Sequence, residues 1–274
     1  MHHSLLDITN AIESIAPLAF AEPWDKVGLL VTGDGRAIAR VMLTIDLTSA
    51  VLDEAKAQRI DLIIAYHPLL FTPLVRLDGA TWQCRVAIDA LRAGIAVYSP
   101  HTALDAAGGG VNDWLMGIVR GAAPHALSGA KPITPGVSPE VGAGRIAQLE
   151  TPVSSDELAR RLELGLGCGR IERTRVDPKS AEHSSRLHGA CAVCAGSGAS
   201  LLEAAALAGA SAFVTGELTH HDVLRAHSLG LEVFLAGHTN TERGYLPLLA
   251  RRLAELAPSA EFLVSSVDCD PLTR

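Results

Sequence analysis

Four strand-like runs in this chain each end in a segment that offers His, Asp or Glu, and helix-forming segments separate them. The runs read DLIIAYHP, AVYSPHTALD, AFVTGELTHH and VFLAGHTNTE, at residues 61–68, 96–105, 212–221 and 233–242. Each run predicts a strand with polar residues at its carboxyl end, the edge where ligands bind in open α/β sheets. Four such edges in one chain predict a metal site assembled from distant parts of the sequence.

The remaining segments continue this alternation between β-prone runs and amphipathic helices. A first helix is expected to begin at a Ser4/Asp7 capping box and to end before Pro17. Further strands and helices follow in turn, up to a helix at about 241–256 and a strand at 262–267. Strict alternation predicts a sheet with many parallel neighbours. The stretch Gly121–Val141, rich in Pro and small residues, is expected to be a loop or domain boundary.

Length and composition limit the classes of protein to which this chain can belong. The 274 residues suffice for one large or two modest domains, and 48% hydrophobic with only 4% aromatic residues predicts an aliphatic core. No run is long enough to span a bilayer and the start lacks a signal-peptide pattern, so we expect a soluble, cytoplasmic protein. A net charge of −7, with scattered arginines, argues against a nucleic-acid partner.

Each candidate ligand also has a plainer interpretation. His67 is also explained as a polar residue at a strand exit, and Asp105, which precedes a glycine-rich turn, as a turn or capping residue. Glu242 could simply favour the positive end of a helix dipole, but that explanation leaves His238 unaccounted for. His101 follows a strand in the same way as His67.

The segment after Val214 offers three more polar side chains, Glu217, His220 and His221. On a helix Glu217 and His221 would share one face, and each of Glu217, His220 and His221 stays open as a ligand, a partner of a ligand or a general base. The CxxC at Cys191 and Cys194 has no second pair, and on a strand its thiols point to opposite faces. We interpret them as small buried thiols, and the AGSG that follows as a candidate pocket lining.

These residues together resemble one family. The segments WDKVGLLV, IIAYHPLLF, SPHTALDAAGGGVNDWL, GAGRIAQL, CAGSG, VTGELTHHDVLRA and AGHTNTERGYLPLLARRL occur in its order, from Trp24 almost to the C-terminus. They are similar to the Ngg1-interacting-factor-three-like family, whose bacterial members are often named GTP cyclohydrolase 1 type 2 homologues. Many members read His-His-Pro where this chain has Tyr66, His67 and Pro68. The stretch Gly121–Val141 is too short for the domain that some relatives insert there.

The resemblance implies a fold, a metal centre and an assembly. The fold is α/β, with two interlinked lobes of mixed, largely parallel sheets and the metal site between them, and we expect the lobes at 1–125 plus 232–274 and at 126–231. The implied cofactors are two divalent ions among Zn, Fe, Mn, Co and Ni. The implied ligands are His67, Asp105, His238 and Glu242, with His101 adjacent.

The implied activity is that of a metal-dependent hydrolase acting on a small, nucleotide-type substrate. Glu217 and His221 are the proton-transfer candidates. The implied assembly is a homohexameric ring. A non-catalytic metal-binding scaffold that acts through such a ring is the alternative.

Overall fold

The computed structural model describes residues 3–121, 130–174 and 186–272. They form two compact units, each with its own five-stranded sheet. The first comprises the described residues of Met1–Leu104 and Tyr245–Pro271, and the second those of Asp105–Gly244 together with Leu272. No helix in the described ranges is long and apolar enough to cross a membrane.

The first unit is a mostly parallel sheet with helices. Its strands are β1 (Gly28–Thr32), β2 (Arg40–Thr44), β3 (Leu62–Ala65), β4 (Ala96–Ser99) and β12 (Glu261–Val264), in the spatial order β1-β4-β3-β2-β12. Its helices are α1 (Leu5–Ile15), α2 (Ser49–Ala57), α3 (Trp82–Arg92) and α10 (Leu246–Leu256). All neighbours are parallel except β1, which runs antiparallel to β4. The carboxyl ends of β2, β3 and β4 therefore lie along one edge.

The second unit repeats this plan with antiparallel strands at both edges. Its strands are β5 (Thr134–Pro135), β6 (Gly142–Ala143), β7 (Arg145–Ser154), β8 (Glu172–Arg173), β9 (Leu187–Ser197), β10 (Ala212–Glu217) and β11 (Glu232–Leu235). Its helices are α5 (Val111–Arg120), α6 (Ser155–Leu166), α7 (Leu202–Leu207), α8 (His220–Ser228) and α9 (Asn240–Arg243); α4 (His101–Ala106) contains the boundary between the units in sequence. The sheet order is β7-β9-β10-β11-β8, with β9, β10 and β11 parallel.

The predicted α/β class is confirmed, and so is the Ser4/Asp7 capping box at α1. One predicted helix, at 241–256, is wrong as a continuous element, because the chain forms α9 and then α10. Pro247 explains the break, since its ring would clash with the carbonyl of Arg243 and it has no N–H to donate. It sits instead in the first turn of α10, where neither matters.

The unit bounds differ from those expected for the lobes. Residues 105–121 and 232–244 belong to the second unit, because α5 packs against β9 and β7 and β11 pairs with β10. The stretch Gly121–Val141 is described only at Gly121 and from residue 130, where β5 and β6 pair. Its remaining residues, 122–129, lie outside the described ranges.

The predicted aliphatic core is present in the first unit. Its central cluster of buried side chains, which includes Met42, Ile63 and Val97 from the three middle strands, contains no aromatic residue. The corresponding cluster of the second unit adds Phe213. Branched aliphatic side chains on both faces of parallel strands are what a covered sheet requires.

Candidate metal centre

His67 lies just beyond the carboxyl end of β3, and a carboxylate fixes its ring. Its Nδ1 is 2.9 Å from Oδ1 of Asp46, which follows the end of β2. Both side chains keep partial exposure, 22% for His67 and 35% for Asp46. An imidazole that donates its Nδ1 proton to a carboxylate carries its lone pair on Nε2, the arrangement typical of a histidine that binds a metal.

His101 repeats this arrangement at the carboxyl end of β4. Its Nδ1 is 2.8 Å from both carboxylate oxygens of Asp25, and the backbone N–H and hydroxyl of Thr102 also donate to Asp25. Burial raises the pKa of Asp25, but the hydrogen bonds from His101 and Thr102 outweigh it and hold that pKa at about 2. His101 has a φ of +31°, a left-handed conformation that is uncommon outside glycine and that clusters at functional sites.

Tyr66 takes part in this group. Its buried ring lies with its centroid 5.2 Å from that of His67 and 5.7 Å from that of His101. The two imidazole centroids are 5.5 Å apart. The first unit therefore brings together the predicted ligand His67 and the adjacent His101, beside the tyrosine that stands in place of a second histidine.

In the second unit, His238 lies between two carboxylates. Its Nδ1 is 3.1 Å from Glu217 Oε1, at the end of β10, and its Nε2 is 3.4 Å from Glu242 Oε1, in the first turn of α9. Glu242 is buried, with 3% exposure. In the tautomer that donates its Nδ1 proton to Glu217, the Nε2 lone pair and the Glu242 carboxylate face the same small space.

This donor set fits a divalent cation. An imidazole nitrogen and a carboxylate oxygen are both donor types that bind divalent first-row metals. Two ligands at a tetrahedral angle, with bonds of about 2.0–2.1 Å, lie about 3.3 Å apart, close to the observed separation of 3.4 Å. His238 and Glu242 are both among the side chains that could hold a metal ion.

Gly196, in the AGSG segment, lies against this pair. A Cβ at this position would stand 2.8 Å from Glu242 Oε1 and 3.0 Å from His238 Nε2. The residue also has a φ of +63°. The predicted pocket lining is therefore a glycine that leaves room for the two candidate ligands.

Asp105 is the remaining predicted ligand, and the backbone around it is tightly held. It lies near the end of α4, so it is not the cap of α5, whose N-cap residue is Gly110. Asn112 donates from Nδ2 to the carbonyl of Asp105 and accepts from the N–H of Ala195, which links α4 to the end of β9.

Arg145 anchors the same segment from the other side. Its fully buried guanidinium donates to the carbonyls of Ala106 and Ala107, which directly follow Asp105. It donates as well to the carbonyls of Gly142 and Gly144, and its Nε is 3.0 Å from Oδ2 of Asp113.

Cys194 lies close enough to Asp105 and Glu242 for their negative charges to affect the pKa of its thiol. Burial raises the pKa of its thiol, and the Asp105 and Glu242 carboxylates raise it further. Burial likewise raises the pKa of Cys191 to about 12. Both sulfurs are thus protonated thiols near neutral pH. Cys191 is buried, as the interpretation of the CxxC expects, whereas Cys194 is half-buried against the core of the second unit.

The polar side chains after Val214, which are Glu217, His220 and His221, do not lie together on one helix. Glu217 and His221 do not share a helix face, because Glu217 ends β10 and α8 begins only at His220. Thr219 caps that helix, and the exposed His220 and His221 rings lie 5.6 Å apart. Glu217 is instead the partner of His238.

The sequence gives no strand-end setting to His125, His183, His188 or His227, and His227 is half-buried on α8. His188 is buried in a hydrogen-bond network with Ser155 and Ser211, beside Glu232, which confirms a structural role. His125 and His183, also expected to be structural or surface residues, lie outside the described ranges.

Sequence reasoning missed four polar residues that support the candidate ligands. They are Asp25, Asp46, Asn112 and Arg145. Asp46 carried a usable signal, since it ends the apolar run RVMLTID as the ligand candidates end theirs. Arg145 and Asn112 carried none, because their roles depend on long-range backbone contacts.

Comparison with known proteins gives one family. The family model described as Duf34/NIF3 (NGG1p interacting factor 3) matches residues 3–271. NIF3-like protein 1 of Drosophila melanogaster is 36% identical over 98% of this chain and 88% of its own length. NGG1-interacting factor 3 of Saccharomyces cerevisiae is 34% identical, over 97% of this chain and 95% of its own. A protein of Clostridium perfringens named GTP cyclohydrolase 1 type 2 homolog is 32% identical, over 97% and 98%.

Solved structures share the fold. A Bacillus cereus protein related to NIF3 superposes with a TM-score of 0.86 over the full length of both chains, at 19% identity. Reduced HcgD from Methanocaldococcus jannaschii superposes with a TM-score of 0.77 over 97% of this chain and 99% of its own, at 23% identity. At these identities the likeness establishes the architecture alone.

Proposed function

Because this chain belongs to the Duf34/NIF3 (NGG1p interacting factor 3) family, we propose that it is a metal-dependent hydrolase of a small, nucleotide-type substrate. The observation that carries the proposal is His238, held by Glu217 at one nitrogen and facing the buried Glu242 carboxylate with the other. The name of the Clostridium perfringens relative, a GTP cyclohydrolase 1 type 2 homolog, supports the nucleotide class.

The proposed cofactors are two divalent ions. His67, Asp105, His238 and Glu242 would hold them, with His101 as an adjacent group. Imidazole and carboxylate ligands suit Zn, Fe, Mn, Co or Ni. Bound ions of this kind supply a water activated at neutral pH and positive charge for a developing oxyanion.

The chain's own residues then orient the ligands and move protons. Glu217 holds the Nδ1 proton of His238 and so keeps the Nε2 lone pair directed toward Glu242. Asp46 and Asp25 do the same for His67 and His101. We keep Glu217 and the exposed His221 as the proton-transfer candidates. The hexameric ring and the cytoplasmic location stay predictions.

A second function, a non-catalytic metal-binding scaffold, is favoured by the names of the eukaryotic relatives. NGG1-interacting factor 3 of yeast, 34% identical to this chain, is named for an interaction and not for a reaction. A scaffold would use the same ligands to stabilise the fold and its assembly.

Turnover separates the two functions. With GTP as substrate and one added metal at a time, we expect His221→Ala to lower the rate about 10²–10⁴-fold without loss of bound metal, because it removes a proton-transfer group only. Glu217→Ala should lower both the rate and the metal affinity, the latter about 10–100-fold, because it releases the His238 ring. His227→Ala, on the same helix α8, is the matched control.

A scaffold gives a different pattern in the same assay. The wild-type protein would then bind metal but show no turnover with any of the metals. In that case Glu217→Ala would change metal affinity alone, and His221→Ala would behave as the His227→Ala control.

A further inference from the structure

A cavity of about 570 Å³ opens beside His67, entirely within the first unit. Its wall is the long connection between β3 and α3, residues 66–81, and its other side includes Asp46 and Leu47. The volume is in the range of pockets for small organic ligands, about 300–1,000 Å³. Because His67 is a proposed ligand, a molecule in this cavity would lie next to the proposed metal centre.

The lining combines apolar walls with exposed aromatic rings. Phe71 and Trp82 line the cavity and are each 48% exposed, and Trp24 packs edge-on against Phe71 with a centroid distance of 6.0 Å. Within the described residues these three are the aromatic side chains classed as exposed, in a chain with 4% aromatic residues. Exposed aromatic faces at a pocket are typical platforms for planar rings.

The charged groups of the cavity favour hydrogen-bond donors over phosphate. Asp46 and Asp78 contribute carboxylates, and Arg76 contributes the single permanent cation of the lining. Carboxylates accept hydrogen bonds from ring N–H and amino groups and repel phosphate oxygens. A nitrogen heterocycle satisfies the apolar walls, the aromatic faces and the carboxylates together.

We propose that this cavity binds the planar nitrogen heterocycle of the substrate, with Trp82 and Phe71 as its stacking residues and Asp46 and Asp78 as its acceptors. That the bound molecule is a substrate rests on the proposed function, but binding of a heterocycle in this cavity requires no metal. The phosphates of a nucleotide would then lie outside this cavity.

The test is calorimetric titration of the full-length protein with guanosine, which has the heterocycle and no phosphate. We expect guanosine to bind, Trp82→Ala to weaken binding at least tenfold, and inorganic triphosphate to leave guanosine binding unchanged. Trp82 is the first residue of α3, and Thr81 caps that helix, so the variant should keep its fold. Leu91→Ala, a 44% exposed position on the same helix that does not line the cavity, is the matched control.

Three outcomes overturn the inference. They are undetectable guanosine binding in the metal-loaded protein, equal binding by the wild type and Trp82→Ala, and competition by inorganic triphosphate. A smaller assembly of Trp82→Ala in light scattering, with guanosine binding unchanged, would mean that a second copy of the chain covers this surface.

The same titration after chelation separates this inference from the proposed function. Guanosine binding that persists without metal supports the cavity even if the protein proves to have no hydrolase activity. Hydrolysis of GTP without any measurable affinity for guanosine would support the proposed function and reject the cavity.

Discussion

Arg145→Ala is expected to lower the free energy of unfolding by about 3–5 kcal/mol. The guanidinium has no solvent exposure, donates to four backbone carbonyls and pairs with the Asp113 carboxylate, which is itself 6% exposed. Removing it takes away the positive partner of the buried Asp113 carboxylate and one donor from each of the four carbonyls. Urea unfolding followed by circular dichroism measures the loss.

Two variants control for this prediction. Arg160→Ala removes a 59% exposed arginine from a solvent-screened ion pair on α6 and should cost far less stability than Arg145→Ala. Arg145→Lys keeps the charge but cannot reach all five acceptors, so it should lie between the two. Equal stability of Arg145→Ala and Arg160→Ala would contradict the role assigned to the buried guanidinium.

Gly196→Ala is expected to lower metal affinity by at least about tenfold while both proposed ligands remain in the chain. Its methyl group would stand 2.8 Å from Glu242 Oε1 and 3.0 Å from His238 Nε2, so one or both side chains must move. Metal sites lose about 10–100-fold in affinity when the groups that orient their ligands change, and displacing the ligands should cost no less. Competition with a chromophoric chelator measures the affinity.

Gly167→Ala is a matched control for the backbone effect. Gly167 has the same φ of +63°, but a Cβ there meets nothing within 4 Å. Both substitutions therefore place alanine in a left-handed conformation, at a cost of about 1–2 kcal/mol each. Similar metal affinity in the two variants would show that Gly196 does not shape the site.

Local patterns predicted the framework of the fold. The apolar runs ending in His67, His238 and Glu217 are strands β3, β11 and β10, with the polar residues at their carboxyl ends as expected. Those predictions succeed because strand burial and the capping of the following helix are properties of adjacent residues. The β1 strand was missed because its short run has no helix after it and pairs antiparallel at the edge.

Long-range features lay beyond such patterns. Nothing adjacent to Arg145 indicates that its guanidinium closes the carboxyl end of α4, about 40 residues earlier in the chain. The partnership of Glu217 with His238 was likewise hidden, because it joins the ends of two parallel strands. Glu217 and His221 would share a face only if both lay on one helix, and they do not, because β10 continues to Glu217 and α8 begins at His220.

The metal content of the purified protein tests the central claim most directly. It should be measured by elemental mass spectrometry on protein prepared without a nickel column, alongside the His238→Ala variant. We expect about two equivalents of divalent metal per chain in the wild type and a sharp fall in the variant. A wild-type protein that binds no metal, even after reconstitution with Zn, Fe, Mn, Co and Ni, would contradict the proposed function.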